Sequence, residues 1–326
     1  MPSHLTDEFH RTIDYLRISV TDRCNLRCTY CTPNAPFAHM KHSEVLSYEE
    51  LLRVVKIGVR LGIKKVRLTG GEPFVRKDLV SFIASLAAID GIEDLSVTTN
   101  GTLISHQMPA LKKAGLTRIN ISLDTLKPQR FLKITQKDHF QKVVETIDQA
   151  IAQGLSPVKL NTVLLAGENE DELEDFARLT LTRPIHVRFI EYMPIGEGRK
   201  SPEKALLAPE IVRRLEHLAP LTPLEKKMHD GPARRFKFGD ALGEIGIISP
   251  MSHHFCASCN RLRLSADGHL RPCLLSDTKV GLKEVLRSGQ EDEAIAQLFK
   301  QAVAIKGERH NLSLHHVHDL MCAIGG

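Results

Sequence analysis

The alternation of short apolar runs with helix-patterned stretches predicts an α/β protein built on a parallel sheet. Candidate strands are Tyr15–Val20, Lys65–Leu68, Leu95–Thr99, Arg118–Leu123, Val158–Leu164 and His186–Ile190. Strands separated by single helices need right-handed crossovers, which make neighbours parallel. Six such units fit a partly closed barrel with its chemistry at the C-terminal ends of the strands. A doubly wound open sheet shares this local pattern, and periodicity does not separate the two. The alternation stops near Pro194, so a C-terminal extension of different character is expected. The expected division is 1–225 for the barrel domain and 226–326 for the extension.

Between the strands, helices are expected near Tyr48–Leu61, Leu79–Ala88, Met108–Ala114, Gln141–Gln153 and Asp171–Leu179. Ser47 with Glu50 reads as a capping box opening the first, and Asn169 with Glu172 as another for the last. Gly115 and Gly154 stand where helices should stop. After Pro194, residues 196–209 read as loop and Glu210–Leu218 as a short helix. Phe236–Ile248 reads as a glycine-punctuated hairpin, and helix-patterned segments follow Val280.

Composition narrows the function. The chain lacks tryptophan and has few aromatic residues, which argues against a stacking platform for single-stranded nucleic acid. A net charge of +5, spread along the chain, suits a pocket for a small polyanion. No apolar run approaches the roughly 18 residues of a membrane span. The polar N-terminus lacks a secretory core, so a cytoplasmic location is expected. There, seven cysteines read as metal ligands or reactive thiols rather than disulfides.

Cys24, Cys28 and Cys31 follow the first strand on one short loop. Three thiolates can hold three irons of a four-iron cubane and leave the fourth open, as a catalytic cluster requires. The alternative is zinc with His39 or His42 as a fourth ligand. A second set, Cys256, Cys259 and Cys273, has His253 and His254 just upstream. Its spacing leaves zinc and iron–sulfur open. Arg261 and Arg263 follow directly, and on an extended segment they share a face and could converge on one anion. Arg17, Lys65, Arg67, Lys159 and Arg188 also lie at or near strands, which suggests a cationic cavity suited to a triphosphate.

The first cysteine loop matches the radical S-adenosylmethionine (SAM) superfamily signature. Over almost the whole chain, the sequence resembles one family within it, the GTP 3′,8-cyclase of molybdenum-cofactor biosynthesis. The resemblance runs through Leu16–Asn25, Thr69-Gly70-Gly71-Glu72-Pro73, Thr98-Thr99-Asn100-Gly101 and Ser122-Leu123-Asp124. It continues through Arg188–Met193, Cys259–Arg263 and the terminal Gly325-Gly326. Thr32 departs from it, standing where the family usually carries a larger apolar residue.

The resemblance implies a partial (βα)6 barrel of radical SAM type and two [4Fe–4S] clusters, on Cys24, Cys28 and Cys31 and on Cys256, Cys259 and Cys273. It implies SAM contacts by Tyr30, Gly71, Ser122 and Met193. GTP contacts fall on Arg17, Arg67, Thr98, Lys159, Arg261, Leu262 and Arg263, with Lys65 and Arg188 as weaker members. Arg17, Gly325 and Gly326 would shape the catalytic centre. The implied reaction uses a 5′-deoxyadenosyl radical to convert GTP to (8S)-3′,8-cyclo-7,8-dihydroguanosine 5′-triphosphate. It further implies a flavodoxin- or ferredoxin-like electron donor and product transfer to cyclic pyranopterin monophosphate synthase. Neither nucleic acid nor a membrane is an expected partner, and homodimerisation is left open. Rival readings are a peptide-modifying radical SAM maturase and a non-catalytic iron–sulfur or zinc protein. Cys322 has no ligand spacing to any partner and reads as a free thiol. His315, His316 and His318 read as a polar surface run.

Overall fold

The computed structural model describes residues 4–32, 38–193, 195, 203, 205–225, 230–310, 317 and 321–325. Six strands stand side by side in chain order: β1 (Tyr15–Ser19), β2 (Lys65–Thr69), β3 (Asp94–Thr99), β4 (Arg118–Ser122), β5 (Val158–Leu164) and β6 (Ile185–Glu191). Every neighbouring pair is parallel. The connecting helices are α1 (Tyr48–Arg60), α2 (Leu79–Ala87), α3 (Met108–Lys113), α4 (Pro128–Thr135), α5 (Phe140–Ala152) and α6 (Leu173–Thr182).

The strand order never reverses, so right-handed crossovers bring all these helices to one face. A doubly wound sheet needs a reversal to cover both faces. Alternation along each strand does the rest. Leu16 and Ile18, Val66 and Leu68, Ile119 and Ile121, and Val158 and Leu160 join the buried apolar core. Their alternates Arg17, Arg67, Ser122 and Asn161 line one common cavity with Thr98 and Arg188. Inward-facing side chains from all six strands can share a cavity because the sheet curls, which decides for the partly open barrel.

The extension completes both edges of the same sheet. After α7 (Ala208–Leu218), strands β7 (Leu221–Leu224), β8 (Arg234–Phe238) and β9 (Glu244–Ile248) continue from β6, with β9 parallel to it. Beyond β1 lie β10 (Arg261–Leu264), parallel to it, then β11 (His269–Arg271) and β12 (Val280–Gly281), both antiparallel to their neighbours. The chain closes with α8 (Lys283–Arg287), α9 (Asp292–Ala304) and α10 (Met321–Ile324). Because β9 and β10 are both parallel to the barrel strands at opposite edges, residues 249–260 must cross the open side. They run from the C-terminal end of one edge to the N-terminal end of the other.

Two anchors hold that crossing. Glu191, fully buried at the end of β6, accepts from the backbone N–H groups of Ala208 (2.7 Å), Met251 (2.8 Å) and Ser252 (3.0 Å), and from the Ser252 hydroxyl. Arg11 donates to the Cys256 carbonyl at 2.9 Å while paired with Asp7.

The first capping box forms as expected, with the Glu50 N–H on Ser47 Oγ and the Ser47 N–H on the Glu50 carboxylate. The second does not. Asn169 instead bonds Leu165, Asp124 and Val163, and buried Glu172 accepts from Thr125, the Leu126 N–H and Arg130. Both side chains tie loops together, and a three-residue 3₁₀ turn opens α6. Gly115 and Gly154 end their helices with φ of 90° and 64°. The helix α4 escaped the periodicity reading because its eight residues give only one buried patch, around Phe131 and Ile134.

Glu191→Ala leaves several donors without their acceptor at the start of the crossing segment. It is expected to cost about 3 kcal/mol in urea unfolding. Wild-type stability for this variant would show that the crossing does not depend on it.

Candidate active site

Register builds the cationic face. Arg17 of β1 sits opposite Arg263 of β10 and Arg67 of β2, so three guanidinium groups form one row across three strands. One step earlier, Tyr15 stands between Arg261 and Lys65. These residues, Lys65 excepted, line the cavity of about 260 Å³ together with Arg188 of β6. Arg67, Arg188 and Arg263 are buried, as is Lys65.

Such crowding is costly, and the titration of the groups records it. Burial lowers Lys65 to about 8, Arg188 to about 9 and Arg263 to about 10, and neighbouring cations push each of them the same way. Lys159 falls to about 5 through burial, then through Arg188, Arg118, Arg67 and Lys65. Burial alone would raise Tyr15, but Arg67, Arg17, Lys65 and Arg261 bring it down to about 8. Asp94 pairs with Lys65 at 3.3 Å and with Arg118, and Asp230 acts on Arg188, so cations outnumber acids in this set. On the same cavity wall, the Tyr15 hydroxyl, Thr98 Oγ1 and Asn161 Oδ1 are buried with no hydrogen-bond partner among the described residues. Excess positive charge beside orphaned polar atoms is what a polyanionic, oxygen-rich ligand satisfies.

The sulfur side of the cavity lies beyond the C-terminal end of β1. Cys24, Cys28 and Cys31 line it with Gly70, Gly71, Tyr30, Ser122 and Met193. The loop rests on the end of α4, where the Arg27 and Thr29 N–H groups donate to the Thr135 and Ile134 carbonyls. Gly71 gives its N–H to the Thr21 carbonyl at 2.8 Å, and Glu72 gives its own to that of Arg23 at 2.8 Å. A Cβ at Gly71 would lie 2.4 Å from the Arg23 carbonyl oxygen, so only glycine lets this turn pack on the cysteine loop. The Glu72 side chain is fully buried and accepts from Phe74 N–H, Asn100 N–H and Thr99 Oγ1. Burial raises it to about 7 against those bonds. Tyr30 donates to Asp124 at 2.6 Å, and burial holds that carboxyl up near 6.

Among the described residues, neither histidine suggested for zinc joins these cysteines in a group that could hold one metal ion. His39 lies 3.2 Å from Asp22, and His42 is exposed. Among the described residues, no three His, Cys, Asp or Glu side chains converge as a single ion demands. A cubane gives each cysteine its own iron, so three thiols spread around one cavity fit it. Burial raises Cys24 to about 11, and a bound metal reverses that by favouring the thiolate.

The second set lies beside this cavity without lining it, with Cys256 and Cys259 on the crossing segment and Cys273 just after β11. Cys256 feels both Cys273 and Cys259 electrostatically. Cys259 falls to about 7 because Arg261 and Lys306 outweigh its burial. Phe255, Arg261, Arg263 and Leu274, which adjoin these cysteines in sequence, line the cavity. His254 is engaged with the Pro250 carbonyl and with His310.

Some expected residues are placed differently. The side chain of Leu262 faces the apolar core, fully buried, and does not line the cavity. Lys159 lines an adjoining cavity of about 400 Å³, and Arg188 lines both. Gly325, at φ +69°, accepts from Arg263 at 2.9 Å, which tucks the tail into the barrel. Gly326, His315, His316 and His318 lie outside the described residues. Cys322 is a free thiol, as expected, but it is buried on the cavity wall and interacts electrostatically with Cys31. Nothing in its spacing could show this, because α10 is folded back over 290 residues of chain. Asp124, Asn100 and Asn161 also escaped, though the first two lie in motifs already noted.

Comparison with known proteins agrees with this geometry. A model of the Radical SAM superfamily matches residues 18–180, and one named Molybdenum Cofactor Synthesis C matches residues 185–312. The GTP 3′,8-cyclase of Moorella thermoacetica is 46% identical over 308 residues, 94% of this chain and 95% of the relative. That of Heliobacterium modesticaldum is 47% identical, covering 99% of this chain and all of the relative. The chain belongs to the GTP 3′,8-cyclase family. It is therefore a radical SAM enzyme, and membership implies SAM and a [4Fe–4S] cluster as cofactors. Among solved structures, Streptococcus suis SuiB bound to S-adenosylmethionine superposes with a TM-score of 0.62 at 14% identity, over 88% of this chain and 68% of that one. At that identity the likeness shows the fold, which agrees with the partly open barrel.

Gly71→Ala is expected to displace the cysteine loop and weaken SAM binding by about tenfold or more, in line with an overpacking cost of roughly 1–3 kcal/mol. Equilibrium binding to anaerobically reconstituted protein measures this. Unchanged affinity with wild-type circular dichroism would overturn the close-packing argument.

Proposed function

We propose that this enzyme converts GTP to (8S)-3′,8-cyclo-7,8-dihydroguanosine 5′-triphosphate, the first step of molybdopterin biosynthesis. The observation that carries the reading is the row of Arg263, Arg17 and Arg67 facing the Cys24–Cys31 loop across one cavity. A peptide maturase has no need of that concentration of buried cations.

Cys24, Cys28 and Cys31 would hold a four-iron cluster that, with SAM, would supply one-electron chemistry for hydrogen abstraction. The protein's part is placement and exclusion of water. Gly71, Tyr30, Ser122 and Met193 line the sulfur side and hold SAM there. Arg67, Arg261, Arg263 and Lys159 clamp the triphosphate, and Thr98 offers its unpartnered hydroxyl. Arg17, in the middle of that row, orients the ribose. Cys256, Cys259 and Cys273 would hold a second four-iron cluster, whose open iron would take the guanine end. Gly325 accepts from Arg263 at the cavity edge, and with Gly326 it is assigned to shaping the catalytic centre. The reaction draws on an external one-electron donor of flavodoxin or ferredoxin type in the cytoplasm. Its product passes to cyclic pyranopterin monophosphate synthase.

Anaerobic incubation with GTP, SAM and dithionite should yield the cyclised nucleotide by mass analysis. The reconstituted protein should hold about eight irons. Arg263→Ala should weaken GTP binding by about 1.5–3 kcal/mol, the worth of a charge-assisted hydrogen bond. If GTP binds this variant normally, the clamp assignment fails.

The clamp also carries a pH signature. Lys159, at about 5 in the free enzyme, is largely neutral near pH 7. A triphosphate beside it favours the ammonium form, so binding takes up a proton. The Lys159 contribution to affinity is full below about pH 5 and declines as the pH rises through the pKa of the complex. Calorimetry in buffers of different ionisation enthalpy should show uptake that Lys159→Met removes. Equal uptake by the two proteins would take Lys159 out of the clamp.

A further inference from the structure

Lys306 follows α9 and is buried, with 3% of its surface exposed. Its Nζ lies 3.6 Å from Cys259 Sγ, 3.1 Å from the Arg261 carbonyl and 2.5 Å from the Pro272 carbonyl. Three acceptors match the three N–H donors of an ammonium group. Arg261 lies two residues after Cys259, and Pro272 immediately precedes Cys273. One side chain thus joins two cysteine-bearing stretches, with 13 residues between Cys259 and Cys273.

The backbone around Lys306 extends the tie. The carbonyls of Lys306, Gly307 and Glu308 accept from Arg11, whose guanidinium also holds the Cys256 carbonyl. Arg11 secures the first cysteine of the set and Lys306 the other two. A buried lysine is costly unless its charge and donors are used. Here a thiol sulfur takes one of those donors, and two carbonyls beside cysteine ligands take the rest.

We propose that Lys306 is a positioning residue for the second iron–sulfur cluster, setting the spacing of its three cysteines and raising its reduction potential. This rests on the two-cluster reading given above. Reduction adds one electron, and hence one negative charge, to the cluster. A positive group donating to a ligand sulfur stabilises that reduced state more than the oxidised one. No atom is transferred, and dithionite supplies the electron in the assay.

The test titrates the second cluster alone, in full-length protein carrying Cys24→Ala, Cys28→Ala and Cys31→Ala. Lys306→Met removes charge and donors, Lys306→Gln keeps donors without charge, and Lys306→Arg keeps both. Iron analysis, circular dichroism and a potentiometric titration followed by electron paramagnetic resonance are the readouts. The expected result is about four irons in the parent and a lower midpoint in the Gln and Met variants. Their reduction equilibrium should weaken by about tenfold, or about 59 mV for one electron, while Arg stays near the parent. Loss of iron from folded Lys306→Met but not from Lys306→Arg would also support the assignment, through the spacing role. Unchanged midpoints in iron-loaded Gln and Met variants would overturn it. So would unfolding of all three variants, which would make Lys306 merely structural. A parent that binds no iron at the second set defeats the two-cluster reading itself, and the inference with it, before any Lys306 variant is made.

Discussion

A chain that joins a curled sheet in parallel at both edges has to cross the open side between them. Here β9 pairs with β6 and β10 with β1, and residues 249–260 make that crossing. Everything distinctive about the site depends on this one pairing constraint. It carries Cys256 and Cys259 from one edge of the barrel to the other. It sets Arg261 and Arg263 in register with Tyr15 and Arg17. Through Arg263 it also gives the tail its docking point at Gly325. Glu191 and Arg11 fasten the two ends of the crossing with hydrogen bonds from buried or half-buried groups, where water competes least.

The interior then runs counter to what would best stabilise an empty barrel. Inward alternates of the strands would pack well as Val, Ile or Leu, yet here they include Arg17, Arg67, Lys159, Arg188 and Arg263. Burial first, and then the neighbouring cations, hold Lys159 down to about 5. The helix-facing alternates, such as Leu16, Ile18, Val66 and Leu68, supply the compensating apolar burial. The two faces of each strand thus divide the labour, with stability on the outside and ligand affinity within. An anionic ligand relieves the inner face, so binding and stability are thermodynamically linked.

Much of the frame was legible from residue order. The six barrel strands and the helices α1, α2, α3 and α5 fall within about two residues of their expected limits, because apolar alternation and helical periodicity are local signals. The Ser47–Glu50 capping box is local too, and it forms. The apparent box at Asn169 and Glu172 has the same spelling but a different use. Buried loops nearby compete for those side chains, and no local pattern reports such competition. Short elements such as α4, β11 and β12 bury too few residues to leave a period.

The sequence by itself determined which chemistry is present: two triplets of cysteine, a glycine-rich turn after the second strand, and arginines spaced two apart on strands. Spacing along the chain governs those features, since a loop of eight residues keeps Cys24 and Cys31 close whatever the fold. Tertiary structure alone decided what faces what. The lack of a strand reversal curled the sheet and turned the inward side chains of six strands onto one cavity. Long-range pairing brought Cys322 to Cys31 and Lys306 to Cys259, turned Leu262 into the core and set Lys159 in the adjoining cavity. Contacts between residues tens to hundreds of positions apart form only when the whole sheet closes on its core, so no local reading of the chain contains them.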